Sequence, residues 1–102
     1  MTDLIMENMK NAYVLDNYAV FQDLSSRLGG LHAGSSEEDI QSIFYDIGKT
    51  QFENMRDWFQ ICYFVFLGKW EGPRLGKIFK LMGIEKFNDE LMYRIALVGK
   101  MV

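Results

Sequence analysis

Only one cysteine, one proline and one histidine occur in these 102 residues. Cys62 alone can form no internal disulfide, which suits a reducing compartment such as the cytoplasm. It sits inside an apolar helical run, the setting of a buried structural thiol rather than a reactive one. His32 lies in a glycine-rich linker with no cysteine or acid at ligand spacing, so neither a metal site nor a histidine-based catalytic centre is expected. Nucleotide-binding glycine loops and nucleophile elbows are also missing. No segment alternates with period two, and Asn-Gly and Asp-Gly hairpin signals are absent, which excludes a sheet protein. The longest apolar run, 61–67, is far short of the ~20 residues that span a bilayer. Met1-Thr2-Asp3-Leu4 carries an acid and no basic flank, unlike a leader peptide. A soluble, cytoplasmic protein without a membrane partner is expected.

What is present is apolar and helical. An apolar fraction of 49% and an aromatic fraction of 15% allow a single core and one domain over 1–102. Residues 3–28 predict one helix or two, with a break at Asp16-Asn17, ended by Gly29-Gly30. Ser35-Ser36-Glu37-Glu38-Asp39 marks a helix start, with Ser35/Glu38 or Ser36/Asp39 as the capping box. Ile40, Ile43, Phe44 and Ile47 form the stripe that follows, and Gly48 is the expected stop. A helix over 52–67 carries apolar residues on more than one face and belongs at the centre, with Phe59, Cys62 and Phe66 in the core. Gly68 ends it. Pro73 predicts the start of the next helix, running to Met82, with Leu75, Ile78, Phe79 and Met82 inward and Gly83 as its stop. Asn88 or Asp89 is the expected cap of the last, with Leu91, Met92, Ile95 and Val98 inside. The fold expected is all-α, a compact bundle of five to six short helices.

Charge is unevenly placed. Residues 1–50 carry three bases and eight acids, a balance of −5, whereas 51–102 carry eight bases and six acids, a balance of +2. The acid pairs Glu37/Glu38 and Asp89/Glu90 sit at helix starts, where they complement the helix dipole rather than serve acid–base chemistry. The basic run Lys69, Arg74, Lys77, Lys80 and Lys86 is where an anion would bind. Arg74, Lys77 and Lys80 share one drifting helix face, beside Lys69 and the aromatic Trp70. An aromatic next to cations offers a surface for bases and charge for phosphates, as single-stranded RNA recognition requires. A solvated face and a Trp70 that lids the bundle are the plainer readings of the same residues.

Ile43-Phe44-Tyr45-Asp46-Ile47-Gly48-Lys49, Trp58-Phe59 with Tyr63, Leu67-Gly68, Glu71-Gly72-Pro73-Arg74-Leu75-Gly76 and Met82-Gly83-Ile84 occur in an order and spacing that resemble the C-terminal region of class I lysyl-tRNA synthetases. The resemblance covers about residues 38–98, within a helical core over 36–98, and leaves 1–30 outside it. It implies an α-helical domain that binds the tRNA anticodon loop, without cofactor or metal. The cations Lys69, Arg74, Lys77 and Lys80 would contact phosphates, and Trp70 would stack on a base. The His-Ile-Gly-His-like and Lys-Met-Ser-Lys-Ser-like signatures of the family's catalytic domain do not occur, so no catalytic residues are assigned. The chain would be a C-terminal domain partnered with its own catalytic domain, or a free-standing relative. The alternative is a free-standing helical protein-interaction module, in which the Gly-Pro-Arg turn is only a corner.

Overall fold

The computed structural model describes residues 3–102; Met1 and Thr2, which open the segment read above as unlike a leader, lie outside the described residues. Six α-helices and no strand occur among them. Helix α1 (Asp3–Asp16) and helix α2 (Tyr18–Gly29) are separated at Asn17, as the sequence predicts. The Asn17 side chain donates to the Tyr13 carbonyl at 2.9 Å, competing with the helical ladder at the break.

Helix α3 (Glu37–Gln51) starts at Ser36, whose Oγ accepts from the Asp39 N–H while the Asp39 carboxylate accepts from the Ser36 N–H. Of the two capping boxes the sequence allows, this one forms because Ser35 is engaged elsewhere. Ser35 is buried, and its Oγ accepts from the His32 N–H. Gly48 does not end α3. The helix runs on to Gln51, and Gly48 is buried where the Trp58 ring crosses it: a Cβ there would lie 2.9 Å from Trp58 Cδ1. That glycine is a packing residue, not a stop.

Helix α4 (Met55–Leu67) begins three residues later than the pattern suggested, because Asn54 caps it by accepting from the Arg56 N–H. Gly68, at φ 72°, ends it in the left-handed conformation. Helix α5 (Leu75–Met82) starts after Pro73 rather than at it, with Arg74 as its N-cap. Helix α6 (Ile84–Gly99) follows directly, because Gly83, at φ 107°, both stops α5 and opens α6. Asn88 therefore caps nothing. It is buried inside α6, where its Oδ1 accepts from Ser25 Oγ of α2 at 2.8 Å.

Helix α4 runs against α1 and α3, α5 lies on α3, and α6 is gripped by α1 and α2. The radius of gyration of 12.9 Å equals the ~13 Å of a compact chain of this length. Trp58, Phe21, Phe44 and Phe79 are fully buried. Trp58 Nε1 donates to the Phe44 carbonyl at 2.9 Å, so the indole enters the core with its polar atom satisfied. Phe79 stacks on Phe87 at 4.6 Å and meets Phe66 edge-on at 5.0 Å, joining α4, α5 and α6. Cys62, Phe66, Leu75, Ile78, Phe79, Leu91 and Val98 occupy the core as expected, and Phe59 and Ile95 pack against it half-buried. Met82 and Met92 do not face inward: both are exposed, Met82 at the corner where α5 ends and Met92 beside the buried Leu91, which takes the inward position of that turn.

Candidate nucleic-acid interface

Helix α5 is short and sharply two-sided, with Leu75, Gly76, Ile78 and Phe79 buried and Lys77 and Lys80 exposed. Its entry is fixed by close contacts. At Gly76 a Cβ would strike the Glu37 carbonyl and lie 3.2 Å from the Gln41 nitrogen. The Gly76 N–H donates to Gln41 Oε1 at 2.8 Å. Only glycine lets α5 cross the start of α3 this closely. Below the turn, Tyr63 Oη donates to the Pro73 carbonyl at 2.8 Å. Burial, reinforced by the neighbouring Cys62, holds the Tyr63 phenol above its ordinary pKa, so it remains a donor.

The five residues expected to meet RNA are not equally available. Arg74 makes a two-pronged pair with Glu38, at 3.1 and 3.3 Å. Both side chains are exposed, so the pair is weakly held and open to exchange for another anion. The Glu38 hydrogen bond, then the charges of Glu38 and Glu37, raise the Arg74 pKa. Lys80 Nζ donates to the Ala33 and Ser35 carbonyls, at 2.7 and 2.6 Å, and so ties α5 to the linker before α3. Lys69 and Lys77 are exposed and make no ion pair among the described residues.

Trp70 is 44% exposed, yet one ring face is occupied. It stacks on Phe64 at 4.5 Å and meets Tyr13 edge-on at 5.5 Å. The structure thus places Lys69 and Trp70 beside α1 and α4, and Arg74, Lys77 and Lys80 along α5 beside α3 and the linker. His32 is exposed in the linker, its Nδ1 accepting from the Gly34 N–H.

Two features near these residues carry no sequence signal. Glu38 sits at a helix start and is explained there by the dipole, so its pairing with Arg74, 36 residues away, is visible only in three dimensions. A cavity of about 500 Å³ opens between the end of α2, the linker and the α5–α6 corner, with Lys80 in its lining. No group of three or more histidine, cysteine or acidic side chains that could hold a metal occurs among the described residues, and no helix there is long and apolar enough to cross a membrane.

Fold and surface together define an all-α bundle with a cationic short helix at one edge. Comparison with known proteins narrows the relationship: the chain is related to a segment of lysine–tRNA ligases. It is 45% identical over 69 residues to the lysine–tRNA ligase of Rickettsia bellii (strain OSU 85-389), covering 67% of this chain and 13% of that protein. The Rickettsia felis enzyme is 43% identical over 68 residues, 66% of this chain and 13% of the relative. The Rickettsia typhi enzyme is 37% identical over 81 residues, 76% and 15% respectively. The matched part of the chain thus spans about an eighth to a seventh of the length of these curated relatives. No family model and no solved structure matches it.

Proposed function

We propose that this chain is a tRNA-binding helical domain of the kind found at the end of class I lysyl-tRNA synthetases, docking on the anticodon loop and carrying no catalytic residues of its own. The observation that carries this reading is the identity of 37–45% to lysine–tRNA ligases over most of the chain. The cationic edge around α5 supplies a chemical reason for it. Lys69 and Lys77 are free to contact phosphates, and Arg74 can leave Glu38 for one. Trp70 offers its remaining face to an unpaired base. Lys80 acts mainly by holding α5 in place, with one ammonium proton left for a ligand. In a longer polypeptide the partner would be the synthetase's catalytic domain, and the compartment the cytoplasm.

Residues 3–30 are part of the same packed body, since α1 and α2 grip α6. That packing supports reading the chain as one domain. The test is tRNA binding by fluorescence anisotropy in low salt, with Lys69→Glu and Lys77→Glu compared with the unaltered chain. Each reversal is expected to weaken binding at least fivefold while the thermal melt is unchanged. Unchanged tRNA affinity in both variants would instead favour a protein-interaction module, for which the exposed Met92, Tyr93 and Met101 of α6 and its end provide an apolar outer surface.

A further inference from the structure

The cavity beside Lys80 has the composition of a site for a flat, largely neutral group. Leu28, Leu31 and Ile84 give it apolar walls, and Lys80, Glu85 and Asn88 add a few polar groups. Its volume of about 500 Å³ lies in the range of ~300–1,000 Å³ in which proteins hold small ligands. The Glu85 carboxylate makes it a poor home for a bare anion.

Asn88 is the telling residue. It is only 8% exposed, and its Oδ1 is fixed by Ser25, which sets the orientation of the amide. Its Nδ2 makes no hydrogen bond among the described residues, yet no buried polar side-chain atom there lacks a partner, so Nδ2 is not sealed off. It lies on the side of Gly29, another lining residue, where a Cβ would sit 3.9 Å from it. The Asn88 amide thus keeps its donor free of any protein partner beside a mixed apolar and polar recess. Around them, α6 begins at Gly83 without a side-chain cap, so the first N–H groups of that helix, at Ile84 and Glu85, are further open donors. The recess is rich in donors, and Lys80 of α5 is the cation in its lining.

We propose that this cavity receives one unstacked nucleobase of a bound RNA, a base bearing a carbonyl acceptor, with Asn88 Nδ2 donating to that carbonyl between the Leu28, Leu31 and Ile84 walls. The proposal deepens the RNA-binding reading and rests on it. Lys77 and Arg74 hold the neighbouring phosphates, and the cavity adds the contact that distinguishes one nucleotide from another. Uracil, cytosine and guanine have the required carbonyl; adenine does not.

The experiment titrates the whole chain with UMP, CMP, GMP and AMP and follows backbone amide signals by NMR. Saturable shifts are expected at Leu31, His32, Ile84 and Glu85 with the first three nucleotides and not with AMP. Asn88→Asp retains the acceptor for Ser25 and removes the donor. Ala33→Trp fills the recess and leaves the Asn88–Ser25 pair untouched, which guards against a folding defect in the first variant. Either is expected to weaken the nucleotide about tenfold, the loss of one hydrogen bond or one stacked base. Absence of saturable shifts at those amides, or equal shifts in a folded Ala33→Trp chain, would overturn the proposal. If tRNA still bound in that case, the RNA-binding reading would stand without the cavity. Nucleotide shifts in the cavity together with no tRNA binding at low salt would overturn the RNA-binding reading, and with it this proposal.

Discussion

At the residue scale, single atoms decide how the bundle closes. Gly76→Ala adds a methyl group where the Glu37 carbonyl already sits. Alanine improves helix propensity by ~0.8–1 kcal/mol, but overpacking against backbone costs about 1–3 kcal/mol. The steric term wins because a carbonyl in the first turn of α3 cannot swing aside as a side-chain tip can. A net loss of up to about 2 kcal/mol in urea unfolding is expected, and a gain would show that α5 can shift freely on α3. Cys62 gives a second expectation. Burial pushes its thiol pKa well up and hides its sulfur, so a disulfide reagent should label it only at the rate of global unfolding. Fast labelling under native conditions would show that α4 opens locally.

At the element scale, the bundle is held by clasps as well as by its core. Arg94 of α6, nearly buried, donates to Glu7 at 2.7 Å and to Asn11 at 3.0 Å, both on α1. The hydrogen bond from Arg94 holds the Glu7 carboxyl below its ordinary pKa. Desolvation opposes this in part, and the Arg94 and Lys10 charges add to it. Because the folded pKa is depressed, the clasp is at full strength above the ordinary glutamate range near pH ~4.3 and is lost as pH falls through the lower folded value. Amide protection in α1, relative to the intrinsic exchange rate at each pH, should therefore fall below about pH 4 before that of the rest of the bundle. Glu7→Gln should remove that pH-dependent step, and its persistence in the variant would assign the step to another carboxylate.

Nothing in the chain marks Glu7, Asn11 and Arg94 as a set, because Arg94 lies more than 80 residues from the other two and each looks like an ordinary surface residue. The helices themselves were legible, since their apolar stripes, the Asn17 break and the glycines at 68 and 83 act within a few residues. Their edges were less so. Gly48 looks like a terminator until Trp58 is packed over it, and Asn88 looks like a cap until Ser25 draws it inward. The cationic residues were legible as a cluster, but their division into free lysines, a paired Arg74 and a structural Lys80 depends on partners brought in by the fold.

At the scale of the whole molecule, a chain with net charge −3 can hold RNA only by segregating its charge. The acidic start of α3 lies against the basic start of α5, so the attractive field is local and easily screened. The logarithm of tRNA affinity should fall linearly with the logarithm of salt concentration. Lys69→Glu and Lys77→Glu should each reduce the slope by about 1. A salt-independent affinity would mean that phosphates are not the ligand.

The placement of the two tryptophans has a practical consequence for all of these measurements. Trp58 is sealed in the core, whereas Trp70 rests on Phe64 with part of its ring in water. One chain therefore carries two optical probes with separate assignments. Iodide should quench Trp70 and spare Trp58, and loss of the core should red-shift the emission of Trp58. With Trp70→Phe as the reference, steady-state fluorescence can follow events at the α1–α4 surface and the integrity of the interior in the same cuvette, without an added label.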